Sequence, residues 1–369
     1  MSKRPTPPKS TVDWFLVSLI SALVAIGVIM IFSTSSVAGY AEFHDSYHYI
    51  KRHLFYLITG LVACVIAWRI PYKVYQKWAL PGLLVASGLV VLTFVPGIGF
   101  KAGGANRWLN LGLLQLQPVE ILKFSVAVFL AVSLANKQKV LHRFGEGMLS
   151  ILLVLAIPIA ILLKQPDLGN TILILAVTFT LFFLSRIRLH YMLGMLGVAV
   201  LGICASVITH PYQLTRVQTF LDPWADPLGK SYHIIQSFIA VGSGGFWGLG
   251  IGQGKLKYFY LPLHYSDFIF SILCEEGGFV LAVAVLGLFT GVLFRGIGIA
   301  RCAKDLFGFY LSLALTLFLV YQAFFNIGVV IGLIPAKGIP LTFISFGGTS
   351  LVVSLFFVGV LLNIARTPK

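Results

Sequence analysis

Apolar runs of spanning length alternate along the chain with short polar segments, near residues 14–32, 54–70, 79–96, 119–135, 148–163, 169–184, 189–209, 268–294, 307–334 and 341–364. A helix needs about 20 mostly apolar residues to cross the hydrocarbon of a bilayer, and only segments that satisfy their own backbone groups can do so. The pattern predicts an all-α polytopic membrane protein, a single bundle of about ten transmembrane helices over residues 1–369. The run from Trp14 to Phe32 is too long for the core of a cleaved signal peptide and is followed by many more spans. It reads as an uncleaved first helix behind a short tail, residues 1–13.

Two segments interrupt the alternation. Residues 210–266, between the seventh and eighth spans, form a connection of a length that is usually functional. Within it, YHIIQSFIAVGSGGFWG places Ile234, Ile235, Phe238 and Ile239 at helical spacing, as an interfacial helix would, although a solvated loop with one apolar patch is the plainer alternative. The second, 97–118 (GIGFKAGGANRWLNLGLLQLQP), is too polar to span and too apolar to stand free, and reads as a loop dipping into the outer face.

The chain is 58% hydrophobic and 11% charged, against roughly a quarter charged in soluble proteins, which excludes an ordinary soluble fold. A net charge of +15 would suit nucleic acid, but the bases form short clusters between spans, as topology signals do, so no nucleic-acid partner is expected. Short segments bearing Lys3, Arg4, Lys9, Arg69, Lys73, Lys77, Lys137, Lys139, Arg143, Arg186, Arg188, Arg295, Arg301, Lys304, Arg366 and Lys369 fall on one side. That side is the cytoplasmic one, which puts both termini inside and residues 210–266 outside. Cys64, Cys204, Cys274 and Cys302 show no paired spacing and read as free thiols.

Charges inside apolar spans cost several kcal/mol unless they meet a partner or a cavity, so each is a site candidate. Glu120 and Lys123 sit one turn apart and can pair, either in a site or as a structural ion pair. Glu275 and Glu276 read as a structural, hydrogen-bonded pair of positions lining the interior. Asp267 differs because it lies where the long outer loop meets a span, with Lys257 and His264 close in sequence. There a carboxylate can stay ionised and act as a general base, the alternative being a helix N-cap. The outer bases Arg107, Arg216, Lys230, Lys255 and Lys257 suit an anionic headgroup such as a pyrophosphate. GKS at 229–231 lacks the earlier glycine of a phosphate loop, since position 224 is Trp. No metal-binding motif occurs, so no cofactor is assigned, with a divalent cation left open.

Four segments resemble the SEDS family of bacterial cell-wall proteins, the FtsW and RodA proteins: NRWLNLGLLQLQPVEILK (106–123), QPDLG (165–169), DPWADPLGKSYHIIQS through LPLHYSDFIFSILCEEGG (222–278) and GLIPAKGIPLTFISFGGTS (332–350). They occur in the family's order across nearly the whole chain, with Phe343, Phe346 and Thr349 standing near where Pro, Tyr and Ser are common. The resemblance implies a SEDS bundle that polymerises lipid II, the undecaprenyl-pyrophosphate-linked disaccharide peptide, into glycan strands on the outer face of the bacterial cytoplasmic (inner) membrane. It implies that Asp267 is the essential aspartate, that Trp108 is functional, and that Glu120 and Lys123 line a central cavity. Trp108, Arg107, Glu120, Lys123, Arg216, Lys255 and Lys257 are then expected to bind substrate. The expected partners are a class B penicillin-binding protein transpeptidase and other divisome or elongasome membrane proteins. AKGIPLTFIS and PYQLTRVQTFLDPWADP are more similar to the division (FtsW) branch than to the elongation (RodA) branch. A lipid II flippase, using charges at the bilayer midplane as a headgroup path, is the alternative from a different class.

Overall fold

The computed structural model describes residues 12–102, 105–110, 115–185, 187–258, 265–336 and 338–366. Lys3, Arg4, Lys9, Arg186, His264 and Lys369, used in the readings above, lie outside the described residues. The helices are α1 (Trp14–Phe43), α2 (His48–Arg69), the single turn α3 (Lys73–Gln76), α4 (Ala79–Leu92), α5 (Pro118–Lys137), α6 (Ser150–Lys164), α7 (Leu168–Leu184) and α8 (Leu189–Thr209). There follow α9 (Pro211–Leu221), α10 (Tyr232–Ser243), α11 (Ile269–Cys302), α12 (Leu306–Val330) and α13 (Gly348–Ala365). Eight of the described helices are long and apolar enough to cross a membrane, and the shorter apolar α4 and α7 occupy the remaining predicted spans.

Local chemistry sets several of the helix starts. Asp13, Asp167 and Asp305 each cap a helix by accepting a backbone N–H, from Leu16, Asn170 and Gly308. Pro118 and Pro211 open α5 and α9, where a missing N–H costs nothing. α12 is buried along nearly its whole length and packs against α5, α7, α11 and α13, so it is the axis of the bundle, whereas α8 is exposed along most of its length. The segment read as a dipping loop folds as a three-stranded antiparallel sheet, β1 (Gly99–Ala102), β2 (Ala105–Asn110) and β3 (Gln115–Leu116), which adds a small strand element to the helical fold. Phe100 faces Trp108 across β1 and β2, and Leu109 faces Leu116 across β2 and β3.

Two stretches of irregular backbone lie against the buried helices. The first is the region after α10. α11 is broken at Gly278, which has φ 65°. The carbonyls freed there accept from Leu249 and Gly250 N–H at 3.0 Å, while Phe279 and Val280 N–H reach back to the carbonyls of Gly245 and Phe246. This contact lies roughly 13 Å along α11 from its start. Residues 244–257 are thus no free loop but run alongside the span, with Phe246, Trp247, Leu249 and Ile251 exposed beside Phe279. The second stretch, 338–347, was expected to begin the last helix. It is irregular, with Ile339, Leu341, Phe343 and Ile344 buried, and α13 starts only at Gly348.

The break in α11 admits no side chain on the facing loop. A Cβ on Gly248, at φ 81°, would lie 2.2 Å from the Glu276 carbonyl oxygen. Gly248→Ala is expected to destabilise the detergent-solubilised protein by about 1–3 kcal/mol, read as a lower melting temperature. Gly242→Ala, with nothing within 4 Å of the added methyl, is the control and should melt as wild type or slightly higher.

Candidate active site

At the start of α11 a cavity of about 550 Å³ is enclosed by β2, α9, α10 and the irregular stretch before α13. Arg107, Trp108, Tyr212, Arg216, His233 and Asp267 line it, with Lys230 exposed at the rim. Arg295, at the far end of α11, pairs with Asp13 at the start of α1, at 2.7 Å. The cavity therefore occupies the end of the bundle opposite to the start of α1.

Asp267 does not cap α11. Phe268 is the N-cap residue and no side chain bonds the free N–H groups there. The carboxylate makes no hydrogen bond or ion pair with any described residue, while its own backbone carbonyl accepts from Asn326 Nδ2 at 2.8 Å. Burial pushes the acid up to about 6, and the positive charges of Arg216 and then Arg107 pull it back. A carboxyl with that value is a stronger base than a surface aspartate and still largely ionised at neutral pH. Gly338 lets the groups close on one another: a Cβ there would sit 3.3 Å from Asp267 Oδ2 and 3.7 Å from Arg107 Nη1.

Both arginines are held by backbone oxygens, which orient them without neutralising them. Arg107 Nη2 donates to Pro166 O at 2.8 Å, and its Nε stands 4.0 Å from Asp167 Oδ2. Arg216 Nη1 donates to Ala336 O at 3.0 Å, Nη2 bonds the Tyr212 hydroxyl, and the guanidinium lies 4.5 Å from the Tyr212 ring centre. Burial lowers Arg216 from its ordinary value. Burial, then Arg216, also lowers His233, so its imidazole is neutral at pH 7.

Four of the expected substrate-binding residues lie elsewhere. Glu120 and Lys123 do not line this cavity; they form an ion pair of 2.7 Å in the bundle interior, at 2% and 1% exposure, and Lys123 Nζ also donates to Gln322 Oε1 at 2.5 Å. Lys257 is turned away from Asp267, because the segment before it folds down onto the break in α11. Its Nζ donates to Glu276 Oε1 at 2.8 Å, to Ser33 Oγ and to Gly252 O. Lys255 is exposed on the same segment and offers its backbone N–H to Glu275 at 2.7 Å. Glu275 and Glu276 thus accept from loop N–H groups, Glu276 also from Ser33 Oγ at 2.8 Å. His233, Tyr212 and Gly338 were missed. Nothing in a linear reading aims a loop histidine or glycine at an aspartate tens of residues away. Among the described residues no three His, Cys, Asp or Glu gather to hold a metal ion, and Asp267 is the one described carboxylate lining the cavity. That donor set does not fit a protein-held cation.

A bundle of membrane-spanning helices with a cavity at one end, lined by a carboxylate and two fixed arginines, defines a polytopic membrane protein. The chain belongs to the FtsW/RodA/SpoVE family, described as cell cycle protein, whose pattern it matches over residues 13–369. It is 42% identical to a probable peptidoglycan glycosyltransferase FtsW of Geobacter sp. (strain M18), over 97% of each chain. It is 38% identical to the stage V sporulation protein E of Bacillus subtilis (strain 168), over 99% of this chain and 100% of the other. Its fold superposes with a TM-score of 0.79 on a chain of a peptidoglycan synthase complex that coordinates polymerization and crosslinking, at 29% identity over 96% and 98% of the two chains. The rod shape determining protein RodA of Thermus thermophilus gives 0.72 at 25% identity, over 98% of each.

The raised acid has a consequence for stability. A carboxyl raised by the fold from 3.8 to about 6 favours the protonated form, so stability falls as pH rises through that window and the full cost of ionisation is present above it. Asp267→Asn removes that cost. The variant should melt above wild type at pH 7.5, with the difference shrinking towards pH 4; equal melting at both pH values would refute the buried, unpaired carboxylate.

Proposed function

We propose that this protein is a peptidoglycan glycosyltransferase that polymerises lipid II, with Asp267 as general base, in septal wall synthesis. The carrying observation is the Asp267 carboxylate, which caps no helix, pairs with no described group and is raised to about 6 beside Arg107 and Arg216. The FtsW naming of relatives at up to 42% identity supports both the reaction and the division branch. In the reaction, Asp267 takes the proton of the acceptor sugar's 4-hydroxyl as that oxygen attacks the anomeric carbon of the donor glycan. The bond to the polyprenyl pyrophosphate breaks, and the developing negative charge falls to Arg107 and Arg216, which are already oriented by Pro166 and Ala336. Trp108 and the neutral His233 shape the walls around the sugars.

The same reading places the protein in the bacterial cytoplasmic membrane with both termini inside and the cavity outside. The bias of Lys and Arg supports this, as does the cavity's position at the opposite end of the bundle from the Asp13–Arg295 pair. The likeness to a chain from a synthase complex supports a class B penicillin-binding protein as partner.

Purified protein given lipid II in detergent should make polymer, with a rate that rises with pH through about 6 and then levels. Asp267→Asn, folded and in the membrane, is expected to lose about 100- to 10,000-fold in rate. Polymer at the wild-type rate from that variant would make Asp267 structural and sink the mechanism. Arg107→Ala and Arg216→Ala should each lose roughly 10- to 150-fold, the worth of one charge-assisted contact. An introduced cysteine near Lys230 should react with an impermeant reagent added from outside intact cells; reaction only after permeabilisation would reverse the topology.

A further inference from the structure

We propose that Asn326 of α12 is a positioning residue for Asp267, and that Gln322, backed by the Glu120–Lys123 pair, holds the segment that Asn326 clamps; this rests on the reading of Asp267 as the general base. The Asp267 carboxylate has no described partner to aim it, so its direction comes from the peptide that carries it. That peptide is fastened at three successive carbonyls. Tyr265 O accepts from Phe346 N–H at 3.0 Å, Ser266 O from Ser345 Oγ at 2.6 Å, and Asp267 O from Asn326 Nδ2 at 2.8 Å.

The third fastening comes from the buried axis of the bundle. Asn326, at 1% exposure, uses the second proton of the same amide to hold Ile339 O at 2.8 Å. One group therefore locks the residue that carries the base to the segment that carries Gly338, the glycine bordering both the Asp267 carboxylate and Arg107. Four residues earlier on the same helix face, Gln322 Nε2 donates to Pro340 O and Ser350 Oγ, each at 3.1 Å. Its oxygen accepts from Lys123, which pairs with Glu120. The buried charges of α5 thus reach the site through Gln322 and Pro340 rather than by touching substrate. A displacement of about 1 Å in a reacting group costs on the order of 100-fold in rate, so this array sits where a small loosening has a large catalytic effect.

The test uses the full-length protein in detergent, with initial rates measured across lipid II concentration and pH. Asn326→Leu keeps the number and branching of the side-chain heavy atoms and removes the donor. It is expected to lower kcat by roughly 10- to 100-fold. KM should stay within about twofold, because Arg107 and Arg216 are untouched, and the inflection of the kcat–pH profile should move. A purely structural role would lower the melting temperature and leave the folded fraction with the wild-type profile. Folded Asn326→Leu with wild-type kcat and pH profile, or with the whole loss in KM, overturns the proposal. If that variant does not accumulate, Gln322→Glu carries the test: it keeps the acceptor for Lys123 and loses the donor to Pro340, so a fall in kcat at unchanged KM is expected and wild-type kcat refutes the array. Asp267→Asn separates the two readings. An active Asp267→Asn removes the general base and the positioning claim with it, whereas an inactive one beside a wild-type Asn326→Leu removes only the clamp.

Discussion

A backbone N–H or C=O that leaves a helix within a bilayer has to find a partner in protein, because lipid offers none. This chain leaves its helices twice in its buried interior, after α10 and before α13, and both departures are answered by polar side chains that would otherwise be unaffordable there. Glu275 and Glu276 accept the N–H groups of Gly252, Gly254, Lys255 and Leu256. In the second stretch Gln322 and Asn326 donate to the carbonyls of Pro340 and Ile339, and Ser345 accepts the N–H of Leu341. The first meets α11 at its break, and the second meets the residues just before α11 and forms a wall of the cavity. The cavity wall made by the second stretch is therefore a consequence of how its irregular backbone is satisfied.

The charges within the bundle divide into two kinds. Glu120 with Lys123 and Glu276 with Lys257 are paired at 2.7 and 2.8 Å and nearly inaccessible. For such pairs desolvation offsets much of the attraction, so their value lies in geometry: each carries a third bond, to Gln322 and to Ser33, that pins a neighbouring element. Asp267 is the opposite case. Its burial raises its proton affinity, and the nearby arginines lean on it without bonding it. The fold gives up stability to keep that carboxylate unpaired, which is the usual relation between a reactive group and the structure that presents it.

Hydropathy located every spanning helix, yet it misplaced ends for reasons of particular residues. α1 was read as stopping at Phe32 and runs to Phe43, because Thr34 and Ser35 return their hydroxyls to Met30 O and Ile31 O and so do not interrupt the helix. Residues 341–347 are apolar and read as helix, yet Phe343 has φ 65° and Thr342 bonds Leu319 O instead of its own turn. A window average does not distinguish burial in protein from burial in lipid. Asp267 was singled out because it stands where the long outer loop meets a span, and the structure lines the cavity with it. Lys255 and Lys257 were misplaced because their surroundings depend on Gly248 meeting Gly278, a contact invisible until the loop is folded. Asn326 carried no signal, since one amide in an apolar run has no direction until its helix is packed.

The placement of the deep charges also separates polymerisation from flipping. A headgroup crossing the bilayer needs polar groups along the whole depth that it can use in place of water. The candidates were Glu120, Lys123, Glu275 and Glu276. Each is at most 2% exposed and bonded to protein, and none lines the cavity that holds Asp267. For a sugar pyrophosphate to displace them it would have to break the Glu120–Lys123 and Glu276–Lys257 ion pairs, at about 3–5 kcal/mol for each partner left buried and uncompensated, and the loop N–H bonds to Glu275. At the cavity the reverse holds: the arginines give only part of their donors to carbonyls, and the carboxylate gives nothing. Unused binding capacity among the cavity's charged groups thus lies at one end of the bundle, which supports reaction at that end over passage across the bilayer.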